Sequence, residues 1–244
     1  MHNIPSLDKG RSPKGGRVSA IILASGSGSR FGGEIPKQFS IHNSRPVYRY
    51  SVDAFLSHPA VDSLVLVVHP DFLDEVKTAM TNTPKPVLIV VGGLTRQESA
   101  YRGLLAAESF SPDTVLIHDA ARPYLPSDLI DRVMEARLDA EAVSPLIAVT
   151  DSLYQVTSSG AFARAVSREN LYRVQTPQGF DYGAILAAHK RAIEGGRLDF
   201  TDDVMLIDAY QLGNIVCVEG DPDNIKLTTP SDQRMIELIL RRLE

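Results

Sequence analysis

Val18-Ser-Ala-Ile-Ile-Leu23 runs directly into Ala24-Ser-Gly-Ser-Gly-Ser-Arg-Phe-Gly-Gly-Glu-Ile-Pro-Lys37. The first piece is apolar and β-branched and reads as a buried strand. The second is a glycine-rich turn that carries Arg30 and, seven residues on, Lys37. Glycine lets backbone N–H groups come close to an anion, and successive N–H groups form an anion-binding nest. Two full positive charges beside such a nest suit a ligand as anionic as a triphosphate. The two better-known phosphate loops do not fit. Gly33 is followed by Glu34 where a Walker A loop needs lysine, and Phe31 stands where the dinucleotide fingerprint needs its third glycine. A polar strand–helix turn explains any single Gly-x-Gly; Arg30, Pro36 and Lys37 together argue against it here.

Working outward, further apolar runs recur at Leu64–Val68, Val87–Val91, Val115–Ile117, Ala142–Val149 and Ile215–Val218. Helical spacing separates most of them, over Pro46–Leu56, Phe72–Met80, Arg96–Glu108, Ser127–Ala140, Tyr182–Glu194 and Ser231–Leu243. Thr95-x-x-Glu98 predicts a capping box, and Thr229-Pro230 a cap followed by proline at the first helical position. Alternating strand and helix predicts an α/β fold: a single Rossmann-like domain, with a mostly parallel twisted sheet and helices on both faces. That domain covers residues 18–244, after a polar stretch, 1–17, that reads as a disordered leader. One segment, about 150–175, breaks the alternation. Its two short strand-like pieces flank Ser158-Ser-Gly160 and predict a protruding β-arm with too little core to stand alone, which leans on a second subunit.

The 244 residues are 43% hydrophobic and 23% charged, enough to bury a proper core. No apolar run approaches the ~18 residues that span a bilayer, so no membrane partner is expected. A net charge of −5 disfavours nucleic acid, yet leaves room for a small anion held by locally grouped cations. The single cysteine, Cys217, lies in the run Asn214-Ile-Val-Cys-Val218 and is expected in the core. One cysteine permits no intrachain disulfide, and a cytoplasmic location follows as the default.

In an open parallel sheet, ligands bind beyond the carboxyl ends of the strands. Four polar segments fall there: the Gly26–Lys37 loop, Gly92–Ser99, His118–Pro123 and Glu219–Lys226. Asp119 is the foremost metal candidate and Asp223 the second, since Mg²⁺ bridging phosphate oxygens takes one or two carboxylates plus waters. Each is equally a turn or capping aspartate on local grounds. Arg122, Arg168 and Lys226 supply further cations, and a guanidinium grips phosphate through two hydrogen bonds. Arg96 reads as a support for its loop, and His118 as structural. Thr201-Asp-Asp203 is explained by helix capping alone.

These motifs resemble the nucleotidyltransferases that activate sugar or polyol phosphates, and within them the cytidylyltransferases acting on 2-C-methyl-D-erythritol 4-phosphate. The likeness covers about Val18 to Leu243. It rests on Gly26-x-Gly-x-Arg30 with Pro36-Lys-Gln38, Gly92-Gly-x-x-Arg-x-x-Ser99, Asp119-Ala-Ala-Arg-Pro123, Gln175-Thr-Pro-Gln-Gly-Phe180 and Asp223-Asn-Ile-Lys226. The resemblance implies transfer of CMP from CTP, with Mg²⁺, in isoprenoid precursor synthesis. It implies Arg30 and Lys37 as the catalytic cations, with Ala24, Ser25, Gly26, Gly28, Gly93, Ser99 and Asp119 around the nucleotide. It implies that Arg168 and Lys226 hold the substrate phosphate, with Ser152 reaching over on the arm of a homodimer partner; Arg122 is expected beside them as a further substrate-binding cation. Ser25 is a departure, because relatives usually carry alanine there. The sister activity on ribitol 5-phosphate shares most of the motifs, although Arg168-Glu-Asn-Leu-Tyr-Arg173 favours the methylerythritol enzymes. A non-catalytic nucleotide-binding regulator is the third reading, against which the intact Arg30 and Lys37 argue. Some relatives are fused to a cyclodiphosphate synthase, and this sequence is compatible both with a stand-alone enzyme and with one part of such a fusion.

Overall fold

The structure, a computed structural model, describes residues 16–27 and 35–241. Gly28, Arg30 and most of the 1–17 leader lie outside the described residues.

Side-chain alternation along β1 (Val18–Ala24) assigns the two faces of the sheet. Ala20, Ile22 and Ala24 join one apolar cluster, and Ile21 joins another. Because both faces of this strand are covered, it reads as a continuous hydrophobic run rather than an alternating one. β1 lies between β4 (Ser63–Val68) and β6 (Thr114–Asp119), and β5 (Val87–Val91) flanks β4, all of them parallel. A small ribbon, β2 (Ile41–His42) with β3 (Arg45–Pro46), precedes them in the chain after the 25–40 loop. Beyond β6 come β11 (Gln178–Asp181), β7 (Ala142–Ala148) and β10 (Tyr172–Val174), giving the order β10–β7–β11–β6–β1–β4–β5. β12 (Ile215–Glu219) pairs with β7 in parallel. The sheet is mostly parallel, as expected, with β10 and β11 the antiparallel members.

Helices cover both faces. Val52 and Phe55 of α1 (Val47–Ser57), Val76 of α2 (Leu73–Ala79) and Leu129 and Val133 of α4 (Ser127–Arg137) pack with Ile22, Leu64 and Leu66. Opposite them, Leu104 of α3 (Arg96–Ala107), Ile185 of α5 (Tyr182–Glu194) and Leu206 of α6 (Val204–Tyr210) pack with Ile21, Val65 and Val67. Each fully buried aliphatic side chain here contributes about 1.5–3 kcal/mol. α7 (Pro230–Leu240) docks Ile236 and Leu240 on Val47 and Leu227, which fixes the loop after β12 against the loop after β6.

Several local expectations need correction. β10 and β11 were not expected as sheet members; they are held by backbone pairing to β7 and β6, not by an apolar pattern. The free part of the arm is therefore shorter than 150–175: the hairpin β8 (Leu153–Val156) with β9 (Phe162–Val166) protrudes, and by Tyr172 the chain is back in the main sheet. Its turn includes Gly160 at φ +81°, a left-handed conformation that suits glycine. Cys217 is exposed rather than in the core. Val216 and Val218 face the α4 side, while Cys217 points to the opposite face. At α3, Thr95 accepts the Glu98 N–H, but the Glu98 carboxylate returns to the N–H of Leu94, so the box is not reciprocal. At α7 it is reciprocal, between Thr229 and Asp232.

Candidate active site

The carboxyl ends of β1, β5 and β6 open onto a cleft of about 710 Å³. Ser25, Gly26, Lys37, Gly93, Ser99, Asp119 and Lys226 all line it. Ala24 does not; it is buried at the strand end, where its carbonyl accepts from Gln38 Nε2 at 2.9 Å. The same amide donates to the Gly26 carbonyl at 2.6 Å, so Gln38 ties the start of the glycine-rich loop to its end.

Charge in this cleft centres on Asp119. One carboxylate oxygen accepts from Arg96 Nε at 3.1 Å and the other from Lys226 Nζ at 2.6 Å. Burial opposes ionisation of Asp119, but Arg96 and Lys226 outweigh it and hold its pKa far below the usual carboxylate range. Arg96 also donates to Asp203 at 2.7 Å. Burial alone would lower the Arg96 pKa; Asp203 and Asp119 reverse that and raise it. The guanidinium thus bridges two carboxylates from β6 and the start of α6, a larger role than loop support. Asp203 is not the capping acid its position suggests, since it points inward to Arg96 and, at 3.1 Å, to His189 Nε2.

His118, fully buried beside Asp119, is structural. Its ring nitrogens meet the Arg122 carbonyl at 3.0 Å and Thr176 Oγ1 at 3.1 Å. Burial, more than these contacts, pushes its pKa down to about 4, so the ring is neutral at pH 7. The Gln175–Phe180 motif explains itself at this point. Thr176 Oγ1 accepts the Asp119 N–H, and its carbonyl accepts from Asn224 Nδ2. Gln175 meanwhile bonds both the N–H and the C=O of Asp221. These bonds clamp the loop after β12 onto the end of β6 and set Lys226 beside Asp119.

The Gly92–Leu94 run is fully tethered through its N–H groups. Gly92 donates to the Val68 carbonyl, Gly93 to Ser99 Oγ at 3.0 Å and Leu94 to Glu98 Oε2 at 2.8 Å. Arg102, unremarked in the sequence, donates to the Gly92 carbonyl at 2.9 Å.

A second cleft of about 440 Å³ shares the wall formed by Arg96, Asp119 and Lys226. Arg122, Thr176, Thr201, Asp202 and Cys217 also line it. Arg122 donates to the carbonyls of Asn224 and Val174 at 2.7 and 3.1 Å, which aims it across the mouth of this cleft. Three expected residues are not brought in. Arg168 bonds the Thr150 carbonyl at the base of the arm, and neither it nor Ser152 lines a cleft of its own chain. Asp223 lines neither cleft; its loop turns Asn224 and Lys226 inward instead. Thr176 could be read only as part of a resembling motif, and Thr201 and Asp202 only as capping chemistry, because their common surface forms only when β10–β11, β12 and α6 meet.

A mostly parallel sheet with a polar cleft over its carboxyl edge, walled by cations around one buried carboxylate, is the arrangement in which open α/β proteins bind their ligands. The sequence profile of the 2-C-methyl-D-erythritol 4-phosphate cytidylyltransferases matches residues 18–242. The bifunctional enzyme IspD/IspF of Mesorhizobium japonicum is 42% identical over 90% of this chain and 54% of its own length. That of Nitrobacter winogradskyi is 43% identical, over 90% and 55%. The crystal structure of 4-diphosphocytidyl-2C-methyl-D-erythritol synthase from Anaerococcus prevotii superposes with a TM-score of 0.80 at 27% identity, covering 93% of this chain and 99% of that one. The Thermus thermophilus cytidylyltransferase gives 0.74 at 30% identity, covering 91% and 98%. This chain belongs to the 2-C-methyl-D-erythritol 4-phosphate cytidylyltransferase family of nucleotidyltransferases. It spans about half the length of the curated bifunctional relatives it matches. Among the described residues, no helix is long and apolar enough to cross a membrane.

Proposed function

We propose that this chain transfers CMP from CTP to 2-C-methyl-D-erythritol 4-phosphate, giving the CDP-activated polyol and pyrophosphate. The observation that carries the reading is the shared wall: Arg96, Asp119 and Lys226 face both clefts. A nucleotide in the larger cleft and a phosphorylated polyol in the smaller one would meet across it. The tethered N–H groups of Gly92–Leu94 leave this run with carbonyl acceptors to offer a base. Acceptors suit the amino group of cytosine and oppose the carbonyl that uracil carries in its place, which supports CTP over UTP.

A phosphate monoester has a second pKa of about 6, so it is mostly dianionic at pH 7 and needs no general base. Its oxygen bonds to the α-phosphorus as the bond from that phosphorus to the bridging oxygen of pyrophosphate breaks. The barrier is the approach of two anions and the charge gathered as pyrophosphate leaves, which asks for cations and positioning. In this reading Arg30 and Lys37 stabilise the α-phosphoryl group, while Arg122 and Lys226 hold the attacking phosphate. Asp119 would hold Mg²⁺ bound with the triphosphate, and the ion would supply neutralisation of the phosphate oxygens. Asp119 is the one carboxylate among the described lining of the larger cleft, and no described cluster of three or more ligating side chains exists. That donor set fits a cation held chiefly by phosphate oxygens, with Asp119 beside it. The reaction is assigned to the cytoplasm, since a chain with one cysteine needs no oxidising compartment.

The active form is a homodimer in this reading. Tyr154, Val156 and Phe162 on the hairpin are all more than half exposed, an apolar face that a second subunit would cover. Ser152 and Arg168 would then complete the neighbour's polyol cleft. Pyrophosphate release tests the activity with CTP or UTP against methylerythritol 4-phosphate, ribitol 5-phosphate or no acceptor. The fastest turnover is expected with CTP and the methylerythritol ester; a preference for ribitol phosphate, or no release at all, would overturn it.

A further inference from the structure

Ser25 follows the last residue of β1, and its hydroxyl donates to Ser99 Oγ at 2.7 Å. Ser99 in turn donates to the Thr95 carbonyl at 2.9 Å and accepts the Gly93 N–H at 3.0 Å. A serine hydroxyl has one hydrogen and two lone pairs, and at Ser99 all three are engaged by Ser25, Gly93 and Thr95. The packing points the same way. A Cβ at Gly92 would collide with the Cβ and Oγ of Ser25 and crowd Ser99 Oγ, so the β5–α3 loop is seated directly on Ser25. Arg102 fixes the far side of that loop through the Gly92 carbonyl. Both serines line the larger cleft, and the bond between them joins the loop after β1 to the first turn of α3.

We propose that the Ser25 hydroxyl is a positioning group that acts through Ser99: it locks the Gly92–Leu94 run in the arrangement that receives the nucleobase. The proposal rests on the larger cleft being the nucleotide site. Alanine at position 25 would keep the seat under Gly92 and remove only the hydroxyl, leaving Ser99 held by two partners instead of three. The effect should therefore appear in nucleotide affinity and not in the chemical step.

A double-mutant cycle with Ser25→Ala, Ser99→Ala and the combined variant tests this, reading kcat, KM for CTP and KM for the polyol phosphate. Loss of one net hydrogen bond predicts that Ser25→Ala raises KM for CTP by ~3–10-fold, with kcat and the other KM changed by less than about twofold. Ser25→Cys, whose S–H is a weak donor, falls between wild type and alanine. In the Ser99→Ala background, Ser25→Ala should add less than about twofold. A merely structural serine would lower thermal stability without separating the two KM values. Multiplicative effects, or a Ser25→Ala enzyme with unchanged KM for CTP, would overturn the proposal alone. A Ser99→Ala enzyme with unaltered KM for CTP would sink the assignment of the nucleotide cleft as well, so the two failures are distinguishable.

Discussion

A carboxylate that meets both Arg96 and Lys226 inside a cleft is a structural keystone as well as a binding surface. Arg96→Met would leave Asp119 with Lys226 and Asp203 with His189. Removing one partner from such a network costs about 2–3 kcal/mol, discounted here because the guanidinium is partly solvated. Urea unfolding should report that loss; a change below about 0.5 kcal/mol would mean the network carries no stability. His118 gives a pH dependence of known sign. Its pKa falls from about 6.5 in the unfolded chain to about 4 in the fold, mainly through burial. Between those values the unfolded chain binds more protons, so stability is present above pH 6.5 and is lost as pH falls towards 4. Wild type should lose about 2–3 kcal/mol more than His118→Gln between pH 7 and 4. The paired aspartates add their own acid lability only below about pH 4, because their native pKa values are depressed.

At the scale of elements, the join between the β1 and β5 loops is the sensitive one. Gly92→Ala drives a methyl group into Ser25, and overpacking of this kind costs about 1–3 kcal/mol. Relief by moving the loop predicts a KM for CTP raised by ~10-fold or more, with KM for the polyol phosphate little changed. An unchanged KM for CTP would show that the loop does not receive the base. Elements were legible in the sequence where burial writes an apolar pattern: β1, β4, β5, β6, β7 and β12 all match their runs to within about two residues. β10 and β11 were not, because backbone pairing and the side chains of Gln175 and Thr176 hold them. Of the cleft residues, Gly26, Lys37, Gly93, Asp119 and Lys226 could be read from glycine and charge at strand ends, while Ser25 and Ser99 came only from the resemblance of their motifs. Asp203 could not, since local chemistry makes an acid near a helix start a cap, and its partner Arg96 lies 107 residues away.

Over the whole molecule, the question is whether one chain makes a complete site. Ser152 and Arg168 line neither cleft of the chain that carries them, and the hairpin shows its aromatic pair, Tyr154 and Phe162, to solvent. Replacing both aromatics with serine should shift sedimentation from dimer to monomer and lower turnover by ~10-fold or more, if each polyol cleft borrows from its neighbour's arm. Mixing Lys37→Ala subunits with Arg168→Ala subunits should then restore activity, because one of the two sites in a mixed dimer carries both intact residues. Activity that stays at the level of the separate variants would mean each site is built from one chain.

If cations at the sheet's carboxyl edge lower the barrier between two anions, removing one must slow the transfer, and Lys37 is the one of the two catalytic candidates that the structure describes. Turnover of Lys37→Ala, followed as pyrophosphate release from CTP, Mg²⁺ and 2-C-methyl-D-erythritol 4-phosphate, tests that most directly. The predicted result is kcat reduced by ~10²-fold or more, with the Kd for CTP within a few-fold of wild type. A Lys37→Ala enzyme that turns over near the wild-type rate would contradict it.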